Sequence, residues 1–381
     1  VFKQLFSRGR SAIGLDIGSR TLRMIQLEPT TDAWRVVAAT SRVLPSDLPD
    51  EGPQRNEAIS QAIRQIVEDT PFKGRNVVSC LPSSAVHYKS LRLPRMPADE
   101  LANAVAWEAA DRLHISADDM QIQFFDAGEV RQGDEVREEV IVMAATKKHV
   151  QEHVDTVVSA GLEPVAVEAT SSALSRCFGL AHAPEDEVVV VVDIGFSTSK
   201  VLIVRNGRVL FFKNIELGGQ AMDLAVSSKM DLSLGDAADL RHTLANSDEA
   251  DNERLFGSSR RETIELGVFD ATRPILSDIA KEVQLCLRYY SVTFRGRRPE
   301  TALLVGGEAS TVLHNPVLSE GAGISLQLGN PFHSIEGVSE ANFMKPGSAG
   351  SEWAVATGLS LRSDAKTLLD RRNKAKQEVA A

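Results

Sequence analysis

Cysteine is scarce. The chain of 381 residues holds three, Cys80, Cys177 and Cys286, far apart and without a C-x-x-C pair. That excludes a disulfide framework and a zinc ribbon, and it fits a reducing cytoplasm. Long apolar runs are missing as well. The most apolar stretch, Val188–Val192, has the length of a strand, far short of the ~18 residues of a membrane span. The N-terminal segment does not read as a secretory signal, because Lys3, Arg8 and Arg10 break it before an apolar region forms. It reads as a frayed terminus. A basic excess is also lacking: 42 Lys and Arg stand against 52 Asp and Glu, a net charge of −10. This argues against a nucleic-acid binder, and the short run Arg295–Arg298 reads as a solvated loop. There is no Gly-Lys pair, so P-loop chemistry is out. There is no G-x-S-x-G elbow either, and no G-x-G-x-x-G after the first strand.

What is present is an ordinary globular composition, 43% hydrophobic and 25% charged, at a length that suggests two to three domains. One internal repeat organises it. Ala12–Ile17 followed by Gly18-Ser19 reads as a buried strand ending in Asp16-Ile17-Gly18. Val188–Val192 followed by Asp193-Ile194-Gly195 reads the same way, at an offset of 177 residues. This is far too long for a solenoid period and implies two related domains. A second strand follows each Asp-x-Gly, over residues 21–27 and 199–204. In the later copy Asn206-Gly207 signals the next hairpin.

Between the copies, apolar spacing predicts helices over 56–68, 98–113, 148–160 and 170–179. Strands are predicted over 76–81, 87–93, 120–125, 140–145 and 163–167. After the second copy a helix starts at Gln220. A polar stretch over 231–259 reads as a mobile loop around Asn246–Asp251. A long helix is predicted over 275–294, a strand over 301–305 and a small-residue helix over 352–362. The last residues, 363–381, form a charged tail.

An Asp-x-Gly turn at a strand end lets the backbone N–H groups approach a phosphate. Its Asp can hold the hydration shell of Mg²⁺. One such turn is common without any ligand; two, each followed by Ser or Thr, point to a phosphate held from both sides. Leu217-Gly218-Gly219 opens a helix, and a helix N-terminus favours anions. Gly306-Gly307 ends a strand where a base or ribose could lie against bare backbone. His149–His153 matches H-x-x-E-H, a zinc-peptidase pattern. With no third ligand in view, it reads as a solvated helix face.

The order of these pieces resembles the actin, Hsp70 and sugar-kinase superfamily. Asp16–Ser19 looks like its phosphate 1 segment, Val167–Leu174 like connect 1, and Asp193–Thr198 like phosphate 2. Leu303–Gly307 looks like the adenosine segment and Ala354–Leu359 like connect 2. Within that superfamily three stretches, Leu91–Pro97, Trp107–Ala110 and Gln121–Phe125, resemble the small domain of the type IV pilus assembly PilM family, and Lys281–Tyr290 resembles its adenine-side helix. The resemblance implies an α/β, bilobal, ribonuclease H-like fold. Residues 1–83, 162–182 and 346–362 would form the first lobe, with a small α/β module inserted over 84–161. The second lobe would take 183–224 and 299–345, with a helical or mixed insertion over 225–298 and a tail over 363–381.

It also implies ATP and Mg²⁺ as cofactors, with weak hydrolysis at most. Asp16 and Asp193 would face Mg²⁺ through water. Gly18, Ser19, Gly195, Ser197 and Thr198 would cradle phosphates. Gly218, Gly219, Gly306, Gly307, Lys281 and Glu282 would line the ribose and adenine. Glu168 would orient a water. The implied partner is the N-terminal cytoplasmic peptide of the inner-membrane protein PilN, alongside other pilus assembly proteins. The chain would then be cytoplasmic and peripheral to the inner membrane, with self-association left open. The pattern departs from the family at Phe196, at Glu308 in place of a third Gly, at Gln284–Cys286 and at His114-Ile115. An FtsA-like division protein should end in an amphipathic membrane helix, and 366–381 has few apolar residues. A sugar or acetate kinase needs a substrate pocket where this chain has the 84–161 module. A type II secretion scaffold of the same fold usually continues into a membrane span.

Overall fold

The computed structural model of the chain describes residues 11–31, 33–45, 47–179, 187–246, 258–339, 343–344 and 349–364. The two apolar runs, Ile13–Ile17 (β1) and Val188–Ile194 (β9), become central strands of separate sheets. Burial on both faces is why they read as near-continuous hydrophobic runs. In the first lobe β1 pairs antiparallel with β2 (Thr21–Pro29), which pairs with β3 (Trp34–Val43). On its other side β1 runs parallel to β4 (Asn76–Cys80), and β4 to β8 (Glu163–Glu168). In the second lobe β9 pairs with β10 (Ser199–Arg205) and β10 with β11 (Arg208–Ile215). Across β9 lie β12 (Thr301–Val305) and β13 (Ser325–Leu328), both parallel. The strand orders β3-β2-β1-β4-β8 and β11-β10-β9-β12-β13 are the same topology twice. The repeat at 177 residues is therefore a repeat of whole lobes.

The first lobe is covered by α1 (Pro53–Asp69) and α3 (Lys147–Ser159). Ile59, Ile63 and Ile66 of α1 recur at helical spacing and meet Val157 of α3 over β1. Ser60 and Ser159 hydroxyls bond at 2.8 Å. This corrects the 84–161 boundary: α3 packs in the first-lobe core, so the inserted module ends at Thr146. That module is the sheet β5-β7-β6, from β5 (His87–Pro94), β6 (Met120–Gln132) and β7 (Glu135–Thr146), under α2 (Ala98–Leu113). Leu101, Val105 and Ala109 of α2 pack on Leu91, Leu93, Val140 and Val142. The module also rests on the edge of the second lobe. The Tyr88 and Phe212 rings lie 4.2 Å apart, and Asp126 pairs with Arg208 at 3.5 Å.

In the second lobe α5 (Gly219–Met230) is followed by α6 (Leu234–Asn246) and α7 (Ser258–Thr293). α6 lies in the stretch read as a polar loop; its apolar contribution is two small residues, the buried Ala237 and Ala238. The long helix begins 17 residues before the expected Ile275 and carries Pro274 in its interior. Leu276, Ile279, Ala280, Val283, Cys286, Leu287 and Tyr290 belong to the second-lobe core. Residues 276–290 are thus part of that lobe and not of an insertion. The one-turn α8 (Ala309–Val312) and α9 (Pro316–Ala322) follow β12.

The chain returns to the first lobe earlier than residue 346. Ile335–Glu336 (β14) pairs parallel with β3, and Phe332, Phe343 and Trp353 pack with Trp34 and Val36. The two connections between lobes, α4 (Thr170–Leu174) and α10 (Ala354–Ser360), cross on the first sheet. A Cβ at Gly14 would run into the Ala356 carbonyl oxygen, and one at Gly358 into that of Ala173. No helix among the described residues is long and apolar enough to cross a membrane. The expected frayed terminus 1–10, the loop over 247–257 and the tail from 365 lie outside the described residues.

Candidate functional site

The two Asp-x-Gly turns have the same internal geometry. Gly18 N–H donates to Thr21 O at 3.1 Å, and Gly195 N–H donates to Thr198 O at 3.0 Å. The first turn is held from outside by Arg55 of α1, which donates to the carbonyls of Gly18 at 3.2 Å and Ser19 at 3.1 Å. The second is held by α5: Gly219 N–H reaches Gly195 O at 3.0 Å, and Gln220 N–H reaches Phe196 O at 2.8 Å. Gly218 permits this close approach, because a Cβ there would lie 2.5 Å from Gly195 O. The N–H groups of Gly219 and Gln220 are therefore already engaged. The expectation of a free anion cradle at Gly218-Gly219 is corrected: these residues buttress the turn.

The acids repeat too, each with a base facing it. Asp16 sits opposite Arg23 across the β1–β2 ladder, and Asp193 opposite Lys200 across β9–β10. Lys200 Nζ donates to Asp193 at 3.2 Å, both side chains buried. Arg23 and Lys200 share the offset of the aspartates, a signal present in the sequence that motif matching passed over. Burial, reinforced by the Asp193 charge, pushes the Asp16 carboxyl up to about 6, with Arg23 opposing. The Cys80 thiol is the next neighbour, 3.9 Å from Asp16; burial first, then the Asp16 charge, raises it. All three cysteines are buried and free. Two carboxylates close enough to repel are relieved by a cation. Mg²⁺ needs only one or two of them, so the donor set fits a hydrated Mg²⁺ with phosphate.

The adenosine-like loop lies against the second acid. Gly306, at φ +98°, leaves no room for a Cβ, which would meet the Asp193 carboxylate and Ile194 O. Glu308 N–H then donates to Ile194 O at 3.0 Å. The Glu308 carboxylate turns inward over Gly219, where a Cβ would be 2.5 Å from it. It accepts from Arg241 at 3.1 Å and Thr311 at 2.9 Å, with His242 at 3.4 Å. Burial works to raise this acid, but the His242 hydrogen bond and the Arg241 charge outweigh it and hold it down at about 2. Arg241 also holds Asp223 at 2.7 Å, and burial raises that carboxyl. The charge that replaces the third Gly is thus neutralised inside the protein, and it covers the approach to Gly219.

Lys281 and Glu282 do not join this group. Glu282 pairs with Lys213 and Lys281 with Asp278 at 2.8 Å. They line a surface pocket of about 420 Å³ with Lys213–Leu217 and Asp278, which includes none of the aspartates or glycines above. Glu168, expected to orient a water, is committed elsewhere. It takes Arg176 at 2.9 and 3.1 Å and Arg362 at 2.8 Å, and Arg176 also donates to Gly358 O at 2.6 Å. It ties the crossing connections together. In the H-x-x-E-H segment His153 is buried, not solvated. Its Nε2 lies 2.8 Å from the Ser79 hydroxyl, and burial lowers it to about 4. No group of three or more metal-ligating side chains occurs among the described residues.

Two lobes of one topology, facing turns at their central strands and crossing connections beneath define an actin-like protein. The family model for type IV pilus assembly protein PilM matches residues 14–364. The chain belongs to the PilM family. Among solved structures it is similar to a PilM–PilN type IV pilus biogenesis complex, at 24% identity over 92% of this chain and 98% of that one, with a TM-score of 0.73. It is also similar to the ethanolamine utilization protein EutJ from Carboxydothermus hydrogenoformans, at 15% identity over 92% and 89%, TM-score 0.54. A third is MreB5 of Spiroplasma citri bound to ADP, at 12% identity over 95% and 98%, TM-score 0.50.

Proposed function

We propose that this chain is an ATP-binding actin-like scaffold of type IV pilus assembly that captures the N-terminal cytoplasmic peptide of a PilN-type inner-membrane protein. The observation that carries the nucleotide half is the doubled constellation of strand-end acid, glycine turn and cross-strand base, one copy per lobe. Asp16 and Asp193 would hold Mg²⁺ through its waters. Gly18, Ser19, Gly195, Ser197 and Thr198 would hold phosphates, and Gly306-Gly307 the adenosine side. When bound, Mg²⁺–ATP supplies the positive charge the acid pair lacks and a polyphosphate that both turns can hold. Glu168 is occupied by two arginines, so hydrolysis has no evident general base and ATP acts as a conformational cofactor.

The partner half rests on family membership and on the PilN present in the similar complex. The peptide would enter between the first lobe and the small module, holding the protein at the inner membrane from the cytoplasmic side. The experiment is a thermal-shift titration with Mg²⁺–ATP, repeated with Asp193→Ala, followed by titration of a synthetic PilN N-terminal peptide. The parent protein should shift with nucleotide, the variant should not, and the peptide should bind. A parent protein that gives no shift removes the nucleotide half; a peptide that does not bind removes the partner half.

A further inference from the structure

Arg20 follows the first turn directly and has no counterpart among the residues assigned to nucleotide above. Its guanidinium lies 5.5 Å over the Phe196 ring, in the turn of the other lobe. It also stands 3.8 Å from the Asp223 carboxylate on α5. One side chain of the first lobe therefore sits between both turns and touches the second lobe twice. Phe196, which departs from the smaller residue usual at its position, supplies the aromatic face for this cation.

The two contacts differ from those around them. Asp223 is already satisfied by Arg241 at 2.7–2.8 Å. The 3.8 Å separation from Arg20 is an ion pair without a hydrogen bond. Arg20 makes no side-chain hydrogen bond to any described residue, and its side chain is 33% exposed. A guanidinium has five donors in a fork that matches a phosphate bidentately. Here that fork is uncommitted and stands beside two glycine turns.

We infer that Arg20 is the phosphate-reading side chain of the cleft and, without nucleotide, the clasp that joins the lobes through Asp223. The inference rests on the nucleotide reading above and adds to it a named ligand and an exchange. On arrival of a polyphosphate, Arg20 leaves Asp223 for the phosphate oxygens. Asp223 keeps Arg241, so the exchange strands no buried charge.

The test measures binding of AMP, ADP and ATP with Mg²⁺ by equilibrium dialysis, and lobe separation by small-angle scattering, on the full chain. Arg20→Ala should weaken ATP about ten- to a hundredfold, the scale of a charge-assisted hydrogen bond. It should flatten the rise in affinity from AMP to ATP and open the nucleotide-free lobes. Asp223→Asn should open the lobes as well, yet keep or raise ATP affinity, because Arg20 is then free. This divergence is what a merely structural role would not give; circular dichroism confirms that both variants fold. ATP affinity unchanged in Arg20→Ala, or lost in Asp223→Asn alongside Arg20→Ala, overturns the inference. If the parent protein binds no nucleotide while Asp223→Asn binds tripolyphosphate through Arg20, the cofactor reading fails and the clasp stands. If neither binds any phosphate compound and Arg20→Ala leaves the scattering unchanged, both fail.

Discussion

Gly358 and Ala173 cross so closely that a single methyl group on the glycine would enter the alanine's carbonyl oxygen. This contact joins α10 to α4, the two connections between lobes, and it admits no side chain. Gly358→Ala should cost about 1–3 kcal/mol, the usual effect of overpacking. Gly235→Ala is the control. It lies in α6 with only the Ser233 hydroxyl at 3.8 Å from its Cβ position, so helix propensity should make it neutral or stabilising by up to about 1 kcal/mol. Urea denaturation of both variants distinguishes a packing effect from a general intolerance of alanine.

Arg241 neutralises two buried carboxylates at once, Asp223 and Glu308. Arg241→Ala should therefore lower stability by about 3–5 kcal/mol, the scale for stranding a buried charge. Replacing all three together, as Arg241→Met, Asp223→Asn and Glu308→Gln, should recover most of the loss. If the single and triple variants unfold at the same urea concentration, stranded charge is not the cause.

Two acids of the cleft give opposite pH slopes. Glu308 is held at about 2, below its ordinary 4.5. Its contribution is complete above 4.5 and is lost as the pH falls toward 2. Glu308→Gln should lower the melting temperature at pH 7, with the gap narrowing below pH 4. Asp16 is raised from 3.8 to about 6, so its ionisation opposes folding above that range. Asp16→Asn should raise the melting temperature at pH 8 and gain little at pH 4. Calorimetry across pH 3–8 reads both; equal gains for Asp16→Asn at pH 4 and 8 would contradict the burial argument.

The small module is held to the second lobe by a buried acid. Glu139, 0% exposed, takes Arg92 at 2.8 Å and the Tyr289 hydroxyl of α7. Arg92→Ala leaves it with only the hydroxyl and should destabilise by about 3 kcal/mol. Tyr289→Phe should cost about 1 kcal/mol and speed amide exchange in β5 and β7 without unfolding the lobes. Exchange that rises equally throughout the chain would show that the module does not move on its own.

The lobes were legible because burial on both faces wrote β1 and β9 as apolar runs, and the Asp-x-Gly turns recur at one spacing. The five ordered motifs led to the family the comparison supports. Long-range packing was not legible. Nothing local assigns α3 to the first lobe; Val157 does so only by meeting Ile63 across ~90 residues of sequence. Glu168 reads as a free acid until Arg176 and Arg362 arrive from elsewhere. Glu308 reads as a charge intruding on a ligand until Arg241 is seen beneath it. Arg20 went unremarked because its meaning depends on Phe196 and Asp223, distant in the chain and adjacent in space.

The first lobe takes its last pieces from the far end of the chain. β14 pairs with the edge strand β3, and Ser360 bonds to Ser11 at 2.9 Å and to the Ala12 carbonyl at 3.0 Å. During synthesis, β1 to β3 emerge first but wait for residues 335–360 before their sheet edge and inner face are covered. The second lobe, contiguous from β9 through α9, needs no such wait. The lobe made first is the one finished last, and until then its apolar strands are exposed to pairing with other chains.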